Sequence, residues 1–206
     1  MTVKIKKQLV SSKIISERSY GYGNKKKYIT IHETGNTSKG ANAQAHANLQ
    51  SRKNPRQASW HYQVDDKEII QSFPDDVMCW SAGDGRGPGN TQSIHIEICV
   101  NSDGDFNKAV LNAAELTKYL MDKYNIPIGN VVQHHKWNGK NCPANLRKGN
   151  RGISWDGFKK LLKQSSTQKE DKMYYVQVGA FRIRANAEKR LKEAKKYFPD
   201  AFIKTE

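Results

Sequence analysis

Two of the six histidines end short apolar segments that are predicted to be buried strands. These are His32 and His134, and strand ends that open into loops are where α/β folds place their sites. Cys142 follows His134 by eight residues (142 − 134 = 8). Zn²⁺ binds imidazole nitrogen and thiolate sulfur, and three protein ligands leave the fourth position open, as in catalytic zinc sites. Spacing alone leaves a second interpretation open, in which each histidine is an ordinary hydrogen-bonded strand residue.

The elements that must position these residues follow from hydrophobic periodicity. Strands are predicted over 27–32, 93–100 and 131–134, and a hairpin over 60–64 and 68–73 around the turn 65–67. Helices are predicted from Ala41 to about Ser51 with Ser38 as its cap, from the turn 103–105 to Tyr124, and from Ser154 to Lys163. Residues 84–90 are glycine-rich and predict a surface loop. Strands mixed with helices indicate an α/β or α+β fold.

The segment 93–100 has the clearest alternation in the chain. Its isoleucines and Val100 share one face, whereas His95, Glu97 and Cys99 share the other. Glu97 is therefore predicted to point away from the hydrophobic core and toward a site.

The last 43 residues differ in character from the rest. Residues 164–173 are almost entirely polar and predict a linker. Beyond them, a strand over 175–178, a helix with Ala187, Leu191, Ala194 and Phe198 on one face, and a second strand over 201–203 would form a βαβ-like unit. A unit this short buries little surface by itself.

Composition and charge exclude several classes of protein. The chain has 35 Lys and Arg against 20 Asp and Glu, a net charge of +15, which favours a polyanionic environment. No Arg-rich arm or zinc-finger spacing argues for nucleic acid, and no apolar run approaches the length of a membrane span. The basic start 1–7 is not followed by an apolar stretch, so no signal peptide is expected. Three cysteines without a CxxC pair argue against a disulfide framework, and Cys79 and Cys99 are expected to be small buried side chains.

Four segments together resemble a known family. They are 28–36 (YITIHETGN), 59–65 (SWHYQVD), 94–99 (IHIEIC) and 134–143 (HHKWNGKNCP). Their sequence and order resemble the zinc-dependent N-acetylmuramoyl-L-alanine amidases, the type-2 family shared by phage endolysins, bacterial autolysins and peptidoglycan-recognition proteins. The resemblance covers about residues 20–163 and implies an α/β fold with a central mixed sheet flanked by helices.

The resemblance also implies which residues act. It assigns Zn²⁺ to His32, His134 and Cys142, and catalytic roles to Glu97 and Lys140. A carboxylate at Glu97 would take a proton from the attacking water and later pass it to the leaving amine. Lys140, two residues before a ligand, would stabilise the oxyanion of the tetrahedral intermediate. Without the resemblance, Glu97 would be interpreted as a salt-bridged sheet residue and Lys140 as an exposed loop cation.

The chain departs from the family pattern at two positions near the expected cleft. Ser81 stands where many members have histidine, and His95 stands where many have glycine. Of the other histidines, His135 is expected to point away from the site and His46 to be a packing or supporting residue. His61, with Trp60, is expected either to line the groove or to pack in the hairpin.

The implied function is hydrolysis of peptidoglycan at the bacterial cell wall. Residues 1–163 would form the amidase domain, 164–173 the linker, and 174–206 a wall-binding segment that resembles part of a sporulation-related repeat (SPOR) domain. The expected partners are peptidoglycan and the anionic polymers of such walls, without nucleic acid. A protein made in the cytoplasm without a signal peptide would need release by a holin-type or other non-classical route.

Two alternatives belong to other classes. A non-catalytic peptidoglycan-recognition module would share the fold, but such modules typically lose the cysteine ligand, which is present here as Cys142. A purely structural metal site would normally have four protein ligands, whereas three are apparent. Both a phage lysin and a bacterial autolysin are compatible with the sequence.

Overall fold

The computed structural model describes residues 3–52, 57–163, 179–199 and 201–203. The chain divides into two units, Met1–Ser166 and Thr167–Glu206. Within the described ranges, no helix combines the length and the apolar character that a membrane crossing requires.

The first unit alternates strands and helices along the chain. Its strands are β1 (Ile5–Lys7), β2 (Ser19–Tyr22), β3 (Tyr28–Glu33), β4 (Tyr62–Val64), β5 (Ile69–Gln71), β6 (Val77–Cys79), β7 (Ser93–Ile98) and β8 (Val131–Gln133). Its helices are α1 (Ser12–Arg18), α2 (Ala43–Ser51), α3 (Pro88–Gln92), α4 (Phe106–Tyr124), α5 (His135–Asn138), α6 (Ala144–Lys148) and α7 (Trp155–Lys163), and a 3₁₀ turn spans Ile128–Asn130. The described part of the second unit contains α8 (Arg184–Ala194).

Six strands form one mixed sheet in the order β1-β5-β4-β7-β3-β8. Only the hairpin β4–β5 is antiparallel, and the other neighbours are parallel. The remaining two described strands, β2 and β6, pair antiparallel as a separate ribbon. An α/β fold with a central mixed sheet flanked by helices is thereby confirmed.

The two faces of the central strands have different surroundings. Ile94, Ile96 and Ile98 are fully buried in the main core, as are Ile29 and Ile31 of β3. The longest helix, α4, supplies the apolar side chains that complete this core, and Phe158 and Leu162 of α7 join it. Because side chains alternate along a strand, His32, His95 and Glu97 are placed together on the opposite face.

The start of α2 differs from the prediction. Ser38 does not cap the helix; Asn42 does, because its side-chain oxygen accepts a hydrogen bond from the backbone N–H of Ala45 at 2.9 Å. The carboxylate of Asp65 accepts the backbone N–H of Ala43 at 2.9 Å and fixes the first turn from outside. Because Asn42 and Asp65 both accept N–H groups of the first turn, the helix begins here and not directly after Ser38.

The glycine-rich segment 84–90 is only partly a loop. Its second half is the start of α3, where the Asp84 carboxylate accepts the backbone N–H groups of Gly89 and Asn90 at 2.7 and 3.1 Å. Pro88 occupies the first helical turn, a position that suits its fixed φ. Asn90 is buried, and its side-chain amide donates to the Gly85 carbonyl, which connects α3 to the loop before it.

The second unit contains one of the predicted elements in shortened form. The helix α8 ends at Ala194, before Phe198, and Ala201 N–H donates to the Phe198 carbonyl. Residues 201–203 are not a strand, which corrects the prediction for them. The predicted strand over 175–178 and the predicted linker lie outside the described residues.

Candidate metal and catalytic site

The three predicted ligands meet at one edge of the sheet. β3 and β8 are parallel neighbours with Ile31 opposite Gln133. The next residue in each case, His32 near the end of β3 and His134 just after β8, therefore lies beside the other. Cys142 returns to the same edge in the loop between α5 and α6. One candidate ligand atom from each residue lies within 4.8 Å of the others, and all three residues are buried. Within the described residues, this is the one such group of three or more potential ligands.

Hydrogen bonds orient the two imidazoles. The Nδ1 atoms of His32 and His134 face each other at 3.0 Å. His134 Nε2 lies 3.0 Å from the Ala82 carbonyl, to which it can only donate, so His134 Nδ1 carries a lone pair. His32 Nε2 lies 3.1 Å from Nδ1 of His95. In the metal-free protein, His32 Nδ1–H can donate to the His134 lone pair. A metal bound by both rings requires the His32 proton to be on Nε2, facing His95, so that both rings present Nδ1 lone pairs to a common point.

Two backbone N–H groups position Cys142, one through its thiol and one through its carbonyl. The backbone N–H of Glu33 donates to Cys142 Sγ at 3.5 Å, and His135 N–H donates to the Cys142 carbonyl at 3.0 Å. The Glu33 carboxylate in turn accepts the N–H groups of Asn145 and Leu146 at the start of α6, both at 2.9 Å. Burial raises the pKa of Cys142 to about 12. Without a metal the thiol is therefore protonated near neutral pH, and metal binding must displace that proton.

This donor set fits Zn²⁺. Tetrahedral zinc at ordinary bond lengths places nitrogen and sulfur ligands roughly 3.3–3.6 Å apart, a separation that this cluster can reach with small adjustments. The imidazoles are in the neutral form that a ligand needs. Burial, then the neighbouring imidazoles and Lys140, holds the pKa of His32 well below its usual range, and burial and Lys140 lower the pKa of His134.

Glu97 lies directly beside the three predicted ligands. It is the register partner of His32 across β3 and β7, and its Oε1 lies 3.9 Å from His32 Nδ1. Its other oxygen, Oε2, is buried and has no hydrogen-bond partner in the described structure. Burial raises the pKa of Glu97 to about 8, although the charge of Lys140 opposes the shift. A carboxyl group with a raised pKa and a free oxygen at a metal site is suited to proton transfer.

Lys140 supplies the positive charge of the site. Its side chain is exposed, and its backbone lies in the tight turn that leads to Cys142, whose N–H donates to the Lys140 carbonyl at 2.7 Å. Burial is the main cause of all four pKa shifts; the ammonium charge of Lys140 adds to the lowering for His32 and His134 and opposes the raising for Glu97 and Cys142. Such a cation can stabilise an oxyanion that develops beside the metal.

A cleft of about 560 Å³ opens onto the site. His134 and Lys140 line it, together with Ser81 and Trp80 from the segment after β6. Trp80 packs edge-on against Tyr20 with ring centroids 5.5 Å apart, and the Arg86 guanidinium lies 4.5 Å from the Tyr20 ring. A second groove, of about 310 Å³ beside the edge strand β8, contains none of the five predicted site residues.

The segment 81–90 holds one wall of the cleft. Asn90 Oδ1 accepts the backbone N–H groups of Ser81 and Ala82 at 2.9 and 2.7 Å, which fixes the Ala82 carbonyl in its contact with His134. Gly83 has a φ of +68°, and a Cβ atom there would lie 2.4 Å from the Asn138 side chain. The positive φ favours glycine at this position, whereas the contact involves only the end of the Asn138 side chain, which can turn aside.

The remaining histidines lie outside the ligand cluster. His135 is exposed, and His46 is buried on α2 with Nδ1 2.8 Å from the Asn42 carbonyl. His61 is fully buried, and its Nε2 lies 2.9 Å from the Val77 carbonyl. Trp60 donates from its indole to Gln63 at 2.9 Å. Of the two roles considered for His61 and Trp60, these contacts favour packing.

Two features of the site were not anticipated from the sequence. One is the Glu33 carboxylate that anchors α6, and the other is the hydrogen bond from Asn90 N–H to the Asp84 carboxylate that shapes the cleft wall. An acidic residue immediately after a ligand, and an Asp and an Asn flanking a glycine run, were the available signals. Each is common in loops without a functional role, so neither is specific.

Comparison with known proteins gives two family matches. A model described as N-acetylmuramoyl-L-alanine amidase matches residues 22–145, and a model described as the SPOR domain matches residues 154–206. The second match begins at α7, although Phe158 and Leu162 of that helix are buried in the core of the first unit.

Individual relatives agree with the first match. The chain is 51% identical over 140 residues to N-acetylmuramoyl-L-alanine amidase XlyA of Bacillus subtilis strain 168, covering 68% of this chain and 45% of that protein. It is 45% identical over 167 residues to N-acetylmuramoyl-L-alanine amidase CwlH of the same strain, covering 80% and 63%. The chain thus spans about half to two thirds of the length of these relatives. The solved catalytic domain of XlyA superposes with a TM-score of 0.71 at 44% identity, over 78% of this chain and 99% of that domain.

Proposed function

The chain belongs to the N-acetylmuramoyl-L-alanine amidase family, and from this premise we propose that it is a zinc-dependent peptidoglycan hydrolase. The bond cleaved is the amide between N-acetylmuramic acid and the L-alanine of the stem peptide. One observation carries the proposal: Glu97, with a free carboxylate oxygen, lies beside a buried His32, His134 and Cys142 cluster, and His134 of that cluster lines an open cleft.

Each residue has a defined role in this reaction. His32, His134 and Cys142 would hold a zinc ion, which would supply Lewis acidity to a carbonyl group and to water. Glu97 accepts the proton of the attacking water and later delivers it to the nitrogen of L-alanine as that amine leaves. Lys140 offsets the negative charge on the carbonyl oxygen of the lactyl group in the tetrahedral intermediate. The products are the free glycan and a peptide with a new N-terminal L-alanine.

The alternative is a recognition module that binds peptidoglycan without cleaving it. Retention of Cys142 among the buried ligands supports the enzyme, as does the unpartnered oxygen of Glu97. A binding module needs neither a third metal ligand nor a proton acceptor in its cleft.

Digestion of purified peptidoglycan separates these possibilities. We expect release of new N-terminal alanine without new reducing sugar. Reducing ends alone would identify a glycosidase, and the absence of both products with retained binding would identify a recognition module. A chelator-treated sample reconstituted with Zn²⁺ serves as the internal control, since activity should disappear and return.

We also propose a division of labour along the chain. Residues 1–163 carry catalysis, residues 164–173 connect, and residues 174–206 bind the wall as a SPOR-type segment. Residues 164–206 carry 10 Lys and Arg against 6 Asp and Glu, a net charge of +4, which leaves +11 of the total +15 on residues 1–163. Both parts are therefore basic, which supports contact with anionic wall polymers as well as with glycan.

Two truncations test this division. Ending the chain after Lys163 should leave hydrolysis of soluble muropeptides intact and weaken binding to whole walls, because two contacts become one. Ending it before Ser154, where the SPOR match begins, should destabilise the catalytic unit, because Phe158 and Leu162 leave the core and each is worth roughly 1.5–3 kcal/mol. Thermal unfolding and muropeptide assays on both proteins measure the difference. Equal stability of the two truncations would remove α7 from the catalytic unit.

A further inference from the structure

We propose that His95 is a positioning residue that holds the His32 imidazole in the tautomer and orientation that zinc binding requires. This inference rests on the proposed zinc site. His95 lies on β7 opposite Thr30, on the same face as Glu97, and is fully buried. Its Nδ1 lies 3.1 Å from His32 Nε2, the ring nitrogen turned away from His134. His95 therefore contacts the far side of a ligand and is not part of the ligand cluster.

The contact has a direct chemical consequence. His32 can offer a lone pair at Nδ1 only when its proton is on Nε2, and that proton needs an acceptor. His95 Nδ1 is such an acceptor at hydrogen-bond distance. Ser81 Oγ is the other group near His32 Nε2, but at 3.4 Å it is at the limit of a hydrogen bond. Partners of this kind fix both the tautomer and the ring plane of metal-binding histidines.

His95 is itself held in place by a third histidine. The backbone N–H of His95 donates to His61 Nδ1 at 3.0 Å, and His61 Nε2 donates to the Val77 carbonyl at 2.9 Å. The rings of His61 and His95 are stacked, with centroids 5.6 Å apart and planes 16° from parallel. The acceptor for His32 is thus anchored to the ribbon strand β6 through His61.

A purely structural explanation for His95 is less satisfactory. Its Nε2 is buried, and the Gly89 carbonyl lies near the ring without forming a hydrogen bond of normal geometry. A buried polar atom without a partner costs stability, whereas an apolar side chain would fill the same space without that cost. Among the described residues, the contact to His32 is the one that the His95 ring makes with normal hydrogen-bond geometry.

Two substitutions of nearly equal shape test the role. Asparagine places its side-chain oxygen where His95 has Nδ1, so His95→Asn keeps the acceptor, whereas His95→Leu has a similar branched shape without one. We expect His95→Leu to weaken Zn²⁺ affinity by about 10–100-fold, the usual effect of losing a partner of a ligand histidine. His95→Asn should lose less than the lower end of that range, about tenfold, because it keeps the acceptor. Competition between protein and a chromophoric chelator for Zn²⁺ alone measures this without any activity assay.

A matched control distinguishes positioning from general stability. Ser93 lies two residues before His95 on the same face, and its hydroxyl is hydrogen-bonded to Thr30 Oγ1 at 2.6 Å, away from the ligands. Ser93→Ala should lower the stability of the metal-free protein and leave Zn²⁺ affinity unchanged. Equal affinities of the Asn and Leu variants, or an equal loss in Ser93→Ala, would overturn the role of His95.

A measurement on the wild-type protein applies even if a variant fails to fold. Long-range proton–nitrogen NMR of the zinc-loaded protein should show His32 protonated at Nε2 and bound through Nδ1. Binding through Nε2 would overturn the inference while leaving the zinc site intact. A wild-type protein that binds no Zn²⁺ would instead overturn the proposed function, and the role of His95 with it.

Discussion

Replacing Glu97 by glutamine should lower kcat on peptidoglycan by about 10²–10⁴ while zinc content stays unchanged, because general acid–base groups are typically worth that much in rate. Glutamine has nearly the same shape but cannot take up the proton of the attacking water. Glu97 is not one of the three clustered ligands, so the metal should remain. Elemental analysis and initial rates on the same samples give both quantities.

The stability of the same variant gives an independent test. In the metal-free protein, the pKa of Glu97 is raised above its unfolded value to about 8. The stabilisation from the protonated carboxyl is then fully present below the unfolded pKa and is lost as pH rises through about 8. Glutamine does not ionise, so metal-free Glu97→Gln should be more stable than wild type at pH 9 and similar to it at about pH 5. A salt-bridged sheet residue would behave in the opposite way, with lower stability and nearly normal activity per folded molecule.

The alternation in 93–98 is sufficient by itself to assign the two faces of β7. The isoleucines reach the core, and His95 and Glu97 reach the site face, because the period of a strand is two. What the sequence does not contain is the register. His32 lies opposite Glu97, 65 positions later in the chain, and this pairing depends on the stacking of whole elements. A pattern within one strand carries no information about its neighbour's offset.

The ligand set illustrates the same limit. His32 and Cys142 are separated by 110 positions (142 − 32 = 110), and periodicity alone could not select them from the other histidines and cysteines. The family resemblance selected them, and the fold brings them within 4.8 Å. The groups that orient them were harder to anticipate. The Ala82 carbonyl and the Glu33 N–H are backbone atoms, which every residue type provides, so no side-chain pattern identifies them.

The errors at the element ends have a local cause. The sequence predicted Ser38 as the cap of α2, whereas Asn42 caps the helix and Asp65, which approaches from the β4–β5 turn, accepts a further N–H group at its start. Similarly, Asp84 converts part of a glycine-rich loop into the first turn of α3. In both cases a carboxylate satisfies backbone N–H groups at a helix start, and in the first case that carboxylate is distant in sequence.

Replacing Cys142 by serine should remove most of the bound zinc. The hydroxyl oxygen is a poorer and far less acidic ligand than a thiolate, and two imidazoles alone do not make a closed zinc site. Serine is close to cysteine in size, and Cys142 N–H and carbonyl keep their partners, so the metal-free fold should be retained. Loss of zinc should abolish hydrolysis, and elemental analysis after gel filtration gives the metal content.

Cys99→Ser provides the matched control, because Cys99 is an equally buried thiol outside the ligand cluster. That variant should lose stability, since a hydroxyl is buried in place of a thiol, yet keep its zinc. The pH dependence adds a third observable. Since the pKa of the Cys142 thiol is about 12 without metal, zinc must displace its proton, and wild-type affinity should rise with pH by up to about tenfold per unit. Undiminished zinc in Cys142→Ser would exclude Cys142 from the site, and a pH-independent affinity would exclude a protonated thiol in the metal-free state.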